Sequence, residues 1–339
     1  MWVPMTNATL DRLLAVLIVA MAVTGLLSLR AGSPAGAWVF VLHGLLGGSL
    51  AAAVALKIRR SVPRAVRSGR AIPLALGLIV AVAASAALAG GFAWVAGGSI
   101  LTVGTWTVLT LHAWIGLVVV PLVVVHLLPR RWRLLRPGPD AVRRAGARLS
   151  RRSVFAGVGL AAVGATGYGL ANVIERLSGG ERRFTGSRLL PSGGIPPVTT
   201  FFGEPTPPID LAAWRVRIDG MVAAPGSWSV VDLRALGETD LTAILDCTSG
   251  WAIETGWYGV PLGVLLTAAR ATDAAHEVIV RSVTGWSVSL PIAEARECLL
   301  ATGVAGQPLP AGNGAPVRLV VPDRRGLDWV KWVDRIEIA

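Results

Sequence analysis

The chain has 339 residues, 53% of them hydrophobic and 15% charged, with a formal net charge of +12. Charge is segregated: residues 1–180 carry 18 Lys/Arg against 3 Asp/Glu, and residues 181–339 carry 14 against 17. This excludes a nucleic-acid binder, because 15 of the basic residues fall between Lys57 and Arg152 in blocks that separate long apolar runs, the arrangement of loops between membrane spans.

Uncharged runs cover 13–29, 31–56, 71–129 and 153–174. About 20 apolar residues cross the hydrocarbon of a bilayer. The third run is too long for one span and breaks at Gly97-Gly98-Ser99. Five spans are predicted, near 11–29, 37–57, 72–96, 105–128 and 153–174, giving an N-terminal all-α transmembrane bundle. The first lacks the basic leader and cleavage site of a signal peptide. Lys57, Arg59, Arg60, Arg64, Arg67 and Arg70 form one basic loop, and nine arginines against Asp140 form another at 130–152. Both loops are expected in the cytoplasm. The N-terminus is then inside, the turns at 30–36 and 97–104 are outside, and the fifth span delivers residues 175–339 to the outer face of the plasma membrane.

Ser150-Arg151-Arg152-Ser153-Val154-Phe155 resembles a twin-arginine export signal placed inside the chain. That resemblance implies the twin-arginine export machinery as a partner. The alternative is two more positive-inside arginines.

Leu42-His43-Gly44-Leu45-Leu46-Gly47 in span two resembles Leu111-His112-Ala113-Trp114-Ile115-Gly116 in span four. The two spans run in the same direction, so His43 and His112 are expected at similar depth near the outer side. An imidazole inside a membrane is expensive without a ligand or partner. Two facing imidazoles can hold one b-type haem axially; the alternative is a pair bonded to helix carbonyls or waters. His126, 14 residues after His112, is matched on span two by Lys57, which argues against a second haem. The pattern resembles membrane subunits of the cytochrome b561 type. That likeness implies electron exchange with a quinone or another membrane redox carrier.

Residues 178–210 are rich in Gly and Pro and predict irregular backbone. Beyond them, β-branched and alternating segments predict strands at 214–218, 278–283, 286–290, 317–321 and 332–337. Helical pieces are expected at 230–236, 261–270 and 292–301, making an α+β domain. The organisation expected is 1–135 as a four-helix membrane domain, 136–178 as basic loop plus fifth span, and 179–339 as an extracytoplasmic domain. The two cysteines, Cys247 and Cys298, have no metal-ligand spacing, and a disulfide between them is left open.

Asp246-Cys247-Thr248-Ser249-Gly250-Trp251, followed by Gly256-Trp257-Tyr258-Gly259-Val260-Pro261-Leu262, is similar to the cysteine segment of the sulfite oxidase superfamily of molybdopterin-dependent oxidoreductases. Asn313-Gly314-Ala315-Pro316-Val317-Arg318-Leu319-Val320-Val321-Pro322, with Gly326 and Trp329-Val330-Lys331-Trp332, resembles its terminal signature, in particular that of periplasmic methionine sulfoxide reductase catalytic subunits. The resemblance implies that Cys247 is the one protein ligand to molybdenum, a soft thiolate suited to that metal. It further implies that Arg318 and Lys331 hold the pterin phosphate, that Asn313 meets the pterin, and that Phe201, Phe202, Ser249, Gly250, Ser282, Trp329 and Val330 contact the cofactor. Thr199-Thr200 stands where relatives begin that contact segment with Asn. The function implied is oxygen-atom transfer on a sulfite, sulfoxide or N-oxide, with electrons exchanged through the membrane domain. The alternative is a non-catalytic membrane anchor or assembly protein with a degenerate domain of this type.

Overall fold

The structure is a computed structural model that describes residues 7–67, 71–131, 151–199 and 203–339. It divides into two compact units, residues 1–28 with 35–186 and residues 29–34 with 187–339.

The first unit is helical: α1 (Asn7–Ser28), α2 (Ala37–Arg67), α3 (Ala71–Ala96), α4 (Val108–Arg131) and α5 (Arg151–Leu177). Five segments, one in each, are long and apolar enough to cross a membrane: Thr9–Ser28, Pro34–Arg67, Leu74–Ala96, Val108–His126 and Val154–Leu177. Val16, Val19, Val82, Val158 and Phe155 are exposed on these helices. In water such surface is a liability; against lipid it is the expected outer face. The helices meet through small residues. A Cβ on Gly48 would fall 2.7 Å from the carbonyl oxygen of Gly164, and one on Gly44 would collide with the Tyr168 ring, so α2 and α5 approach through a Gly-x-x-x-Gly face. Asp11 on α1 and Lys57 on α2 form an ion pair at 2.5 Å. This pairing meets the cost of both charges at a helix–helix contact. The fourth helix starts at Val108 rather than 105 because Thr102–Val103 (β1) and Trp106–Thr107 (β2) close a short hairpin before it.

The second unit is a mixed α/β domain with two sheets. A six-stranded sheet contains β3 (Arg188–Leu189), β6 (Thr239–Asp246), β7 (Trp251–Pro261), β10 (Leu299–Val304), β11 (Gln307–Pro308) and β12 (Arg318–Val320). A five-stranded sheet runs in the order β5 (Gly226–Trp228), β4 (Val216–Gly220), β13 (Val333–Ile338), β8 (Glu277–Ser282) and β9 (Ser287–Pro291). Val216, Ile218, Val278, Val280, Leu290, Ile336 and Ile338 are buried on the five-stranded sheet, following the period-two alternation read from the sequence. Three short helices cross between strands: α6 (Val230–Ala235), α7 (Leu262–Ala268) and α8 (Ile292–Ala295). Ser229 and Asp232 cap α6 reciprocally, and α7 buries Leu262, Leu265 and Leu266 along one face.

One expected helix is corrected. The segment 292–301 is helical only to Ala295, and Leu299 begins β10. All six residues of β10 are buried, and it pairs with both β7 and β12. A strand covered on both faces has no alternation to betray it. The strands β6 and β7 were also not anticipated; Gly256, Gly259 and Pro261 weaken the propensity of β7, and tertiary pairing overrides it.

Candidate functional site

Cys247 occupies the turn that joins β6 to β7. Its N–H donates to Trp251 O at 2.9 Å, and Gly250 N–H donates back to Cys247 O at 3.0 Å. Gly250 has φ +103°, a conformation that favours glycine. Thr248 and Ser249, between them, are buried. Two hydroxyls meet the Cys247 sulfur: Ser249 Oγ at 2.9 Å and Thr199 Oγ1 at 3.2 Å.

Beneath the turn lies a buried ionic clasp that sequence reading did not anticipate. Arg325 Nη2 donates to Asp246 Oδ1 at 3.2 Å, to Ser187 Oγ at 3.1 Å and to Cys247 O at 3.1 Å. Ser187 Oγ donates to Asp246 Oδ1 at 2.6 Å. Asp246 is 0% exposed and Arg325 3%. A buried ion pair with this many bonds fixes a backbone. Here the backbone is that of the cysteine. The only sequence signal was Asp246 beside Cys247; its partner is 79 residues away.

The tail segment supplies the positive side of the site. Arg318 on β12 is buried, and its Nη1 donates to Asn313 O at 2.9 Å. Its guanidinium carbon lies 5.5 Å and 5.7 Å from the ring centroids of Trp257 and Trp329, which meet each other edge-on at 5.4 Å, so the cation sits beside a tryptophan pair. Burial pulls its pKa down to about 10, with the charge of Cys247 opposing. Lys331 Nζ donates to Thr199 O at 3.0 Å and Gly312 O at 2.8 Å. Its pKa is pulled down to about 8, first by burial and then by Arg318, with Cys247 and Glu204 opposing. Gly314 has φ +112°, and a Cβ there would fall 3.1 Å from Lys331 Cα, so this glycine lets the two segments close together.

The predicted site residues separate into groups. Cys247, Ser249, Arg318 and Lys331 are linked by contact or by field. Asn313 joins them through Arg318, and its Nδ2 donates to Pro196 O at 2.9 Å. Gly250 serves through its backbone. Trp329 and Val330 are buried: Trp329 supports Arg318 and donates from Nε1 to Arg324 O, while Val330 O accepts from Leu319 N. Ser282 ends β8 with its hydroxyl against Thr284, and its neighbour Val283 donates to Trp332 O. Phe201 and Phe202 lie outside the described residues. Trp257, the second ring beside Arg318, belongs to the cysteine segment's motif, but sequence reading gave it no role of its own.

Among the described residues, Asn313 Oδ1 and Arg318 Nε are buried without a hydrogen-bond partner. Buried polar atoms are seldom left so. An acceptor and a guanidinium donor held ready, with an ammonium alongside, fit a pterin that carries a phosphate. Among the described residues, no group of three or more His, Cys, Asp and Glu gathers to hold a metal ion. A centre with one protein thiolate, completed by its cofactor's sulfurs, requires none.

The histidine pair lies in the first unit. The His43 and His112 ring centroids are 6.0 Å apart with planes at 90°. His112 Nδ1 is 2.7 Å from Ala87 O, which can only accept, so Nδ1 carries the proton. His43 Nδ1 is 2.8 Å from Thr24 Oγ1, whose own proton goes to Ala20 O at 2.8 Å, so His43 Nδ1 is also the donor. Both Nε2 lone pairs are thereby left available. A Cβ at Gly91 would fall 3.0 Å from His112 Cε1, and one at Gly25 3.5 Å from His43 Cε1. Lys57, the counterpart of His126, is engaged with Asp11.

Residues 203–339 match the oxidoreductase molybdopterin binding domain family. The protein-methionine-sulfoxide reductase catalytic subunits of Xanthomonas campestris pv. campestris and Xanthomonas axonopodis pv. citri are each 32% identical over 149 residues, 39% of this chain and 46% of the relative. The chain thus spans about half the length of the curated relatives it matches. Among solved structures, the sulfane dehydrogenase SoxCD of Paracoccus pantotrophus aligns at 27% identity and a TM-score of 0.38, over 39% of this chain and 40% of that one. The second unit is therefore a molybdopterin-oxidoreductase-type domain, carried on one chain with a region of five membrane-length helices.

Proposed function

We propose that this chain is a membrane-bound molybdenum oxidoreductase that transfers an oxygen atom to or from a sulfite, sulfoxide or N-oxide. The observation that carries the reading is the setting of the Cys247 sulfur: it lies 3.2 Å from Thr199 Oγ1, whose carbonyl accepts from half-buried Lys331 at 3.0 Å, and the buried Arg318 of the same tail segment holds the neighbouring Asn313 carbonyl. The bound molybdenum-molybdopterin supplies two-electron oxo transfer. Cys247 contributes the thiolate ligand, and the clasp of Ser187, Asp246 and Arg325 holds its backbone. Arg318, braced by Trp257 and Trp329, and Lys331 neutralise the pterin phosphate. Asn313 offers Oδ1 to the pterin because its Nδ2 is committed to Pro196. The likeness to protein-methionine-sulfoxide reductase subunits favours a sulfoxide, whose reduction takes two electrons and two protons and releases water.

In the membrane unit His43 and His112 would hold one b-type haem, which would supply one-electron transfer to the oxidoreductase domain. Ligating histidines fix their free ring N–H on a nearby oxygen, as Ala87 O and Thr24 Oγ1 do here. A quinone or another membrane carrier is the electron partner. The basic blocks favour a cytoplasmic N-terminus and an extracytoplasmic oxidoreductase domain. The export reading of Arg151-Arg152 agrees with this; Ser150 lies outside the described residues.

Purified full-length protein is expected to contain about one molybdenum and one pterin per chain, the stoichiometry set by a single ligating thiolate. Cys247→Ser is expected to fold and lose turnover with sulfite, methionine sulfoxide, dimethyl sulfoxide and trimethylamine N-oxide alike. Full turnover in that variant would remove Cys247 from the reaction, and absence of molybdenum from haem-replete wild type would leave a non-catalytic membrane protein. His43→Ala and His112→Ala are each expected to abolish the Soret band while molybdenum is retained.

A further inference from the structure

The Cys247 sulfur is met from two directions. Ser249 belongs to the same turn, whereas Thr199 lies 48 residues upstream, in a segment that precedes the matched domain. That segment is clamped to the tail at successive points. Pro196 O accepts from Asn313 Nδ2 at 2.9 Å. The Val198 side chain fills the space a Cβ on Gly312 would need, with Cγ1 2.7 Å from that position. Thr199 O accepts from Lys331 Nζ at 3.0 Å. With its backbone held, Thr199 turns Oγ1 to within 3.2 Å of the sulfur.

A free thiol has a proton to donate to one of its two hydroxyl neighbours. A metal-bound thiolate has none. Both contacts then run in one direction, O–H to sulfur. Two donors on one sulfur draw electron density from it and weaken its donation to the metal. Hydrogen bonds to ligating sulfur are an established lever on the potential of a metal centre.

We propose that Thr199 is a positioning residue for the metal ligand: clamped by Lys331, it donates with Ser249 to Cys247 Sγ and sets how strongly that sulfur would donate to the metal, and so the metal's reduction potential. This rests on the reading of Cys247 as a molybdenum ligand. The sequence offered Thr199 only as a departure from the relatives' pattern. Its chemistry here follows from the contact it makes.

The test uses full-length protein with Thr199→Val, Thr199→Ser, Ser249→Ala and the Thr199→Val/Ser249→Ala double variant. Molybdenum content is measured first, then the metal's reduction potential by titration followed by electron paramagnetic resonance, and the sulfur-to-metal charge-transfer band. Thr199→Val is expected to keep its molybdenum, shift the potential to more negative values and move the band. Thr199→Ser restores both, and the double variant shifts further than either single one. Wild-type potential and band in a fully loaded Thr199→Val overturn the proposal. If Thr199→Val does not load, Thr199→Ala and Ser249→Ala replace it, and unchanged potentials in both overturn it equally. Absence of molybdenum from wild type overturns the metal reading itself, a different result from a loaded variant that does not shift.

Discussion

Two arginines flank Cys247, each 3% exposed, and the protein treats them in opposite ways. Arg325 has its anion at hand: a carboxylate, a hydroxyl and a carbonyl lie within 3.2 Å of one nitrogen. Arg318 has no ion pair among the described residues, only the Asn313 carbonyl and two tryptophan rings. Equal burial therefore carries different meanings. A buried cation with its anion at hand builds the frame, whereas one held against aromatic rings has its charge unmatched, which is what the proposed phosphate would supply.

The largest effect is expected at Arg325. Arg325→Gln strands the Asp246 carboxylate at 0% exposure, and breaking a buried pair from one side costs about 3–5 kcal/mol. Urea unfolding followed by tryptophan emission would measure it; a loss below about 1 kcal/mol, the worth of an exposed pair, would make the clasp dispensable.

Arg318→Met sharpens the contrast. The apoprotein is expected to be no less stable than wild type, because no carboxylate is stranded. Cofactor retention is expected to fall by about 10- to 100-fold, the worth of a charge-assisted hydrogen bond of about 1.5–3 kcal/mol. Stability losses as large as those of Arg325→Gln would erase the distinction between the two regions.

Lys331 stands on the same side as Arg318 and titrates accordingly. Its pKa falls from 10.5 to about 8 on folding. Between those values the unfolded chain binds more protons than the folded one, so this group makes stability rise with pH; below about 8 the buried charge costs stability in full. Apoprotein is therefore expected to gain stability relative to Lys331→Met between pH 7.5 and pH 10, roughly one pKa unit corresponding to about 1.4 kcal/mol. A pH-independent difference between the two would contradict this. The smallest effect is expected at Cys298, whose thiol burial pushes up to about 12 and whose Sγ is 3.4 Å from Glu294 O. Cys298→Ala should leave molybdenum content unchanged, and Cys298 should resist alkylation at pH 8 in folded protein; ready labelling there would argue for local opening.

Some of this was legible in the chain itself. Apolar runs bounded by arginine blocks determined the five membrane-length helices, because a helix that satisfies its own backbone needs only length and composition to span lipid. Alternation determined β8 and β13, where one face of the sheet is buried: Val278 and Val280, Ile336 and Ile338. The resemblance of the Cys247 segment and of the tail from Asn313 to Lys331 to one oxidoreductase superfamily marked these residues as the candidate site. Tertiary structure alone decided the rest. The strand β10, buried on every residue, carries no period to read. Arg325 and Arg318 are the same residue type at equal burial; only the position of Asp246 across 79 residues pairs one, and only Trp257 and Trp329 set the other against aromatic rings. Thr199 acquires its place at the sulfur because Lys331, 132 residues on, holds its carbonyl. Local pattern is set by the period of a helix or strand, whereas the partner of a polar side chain is set by which distant segments the core brings together.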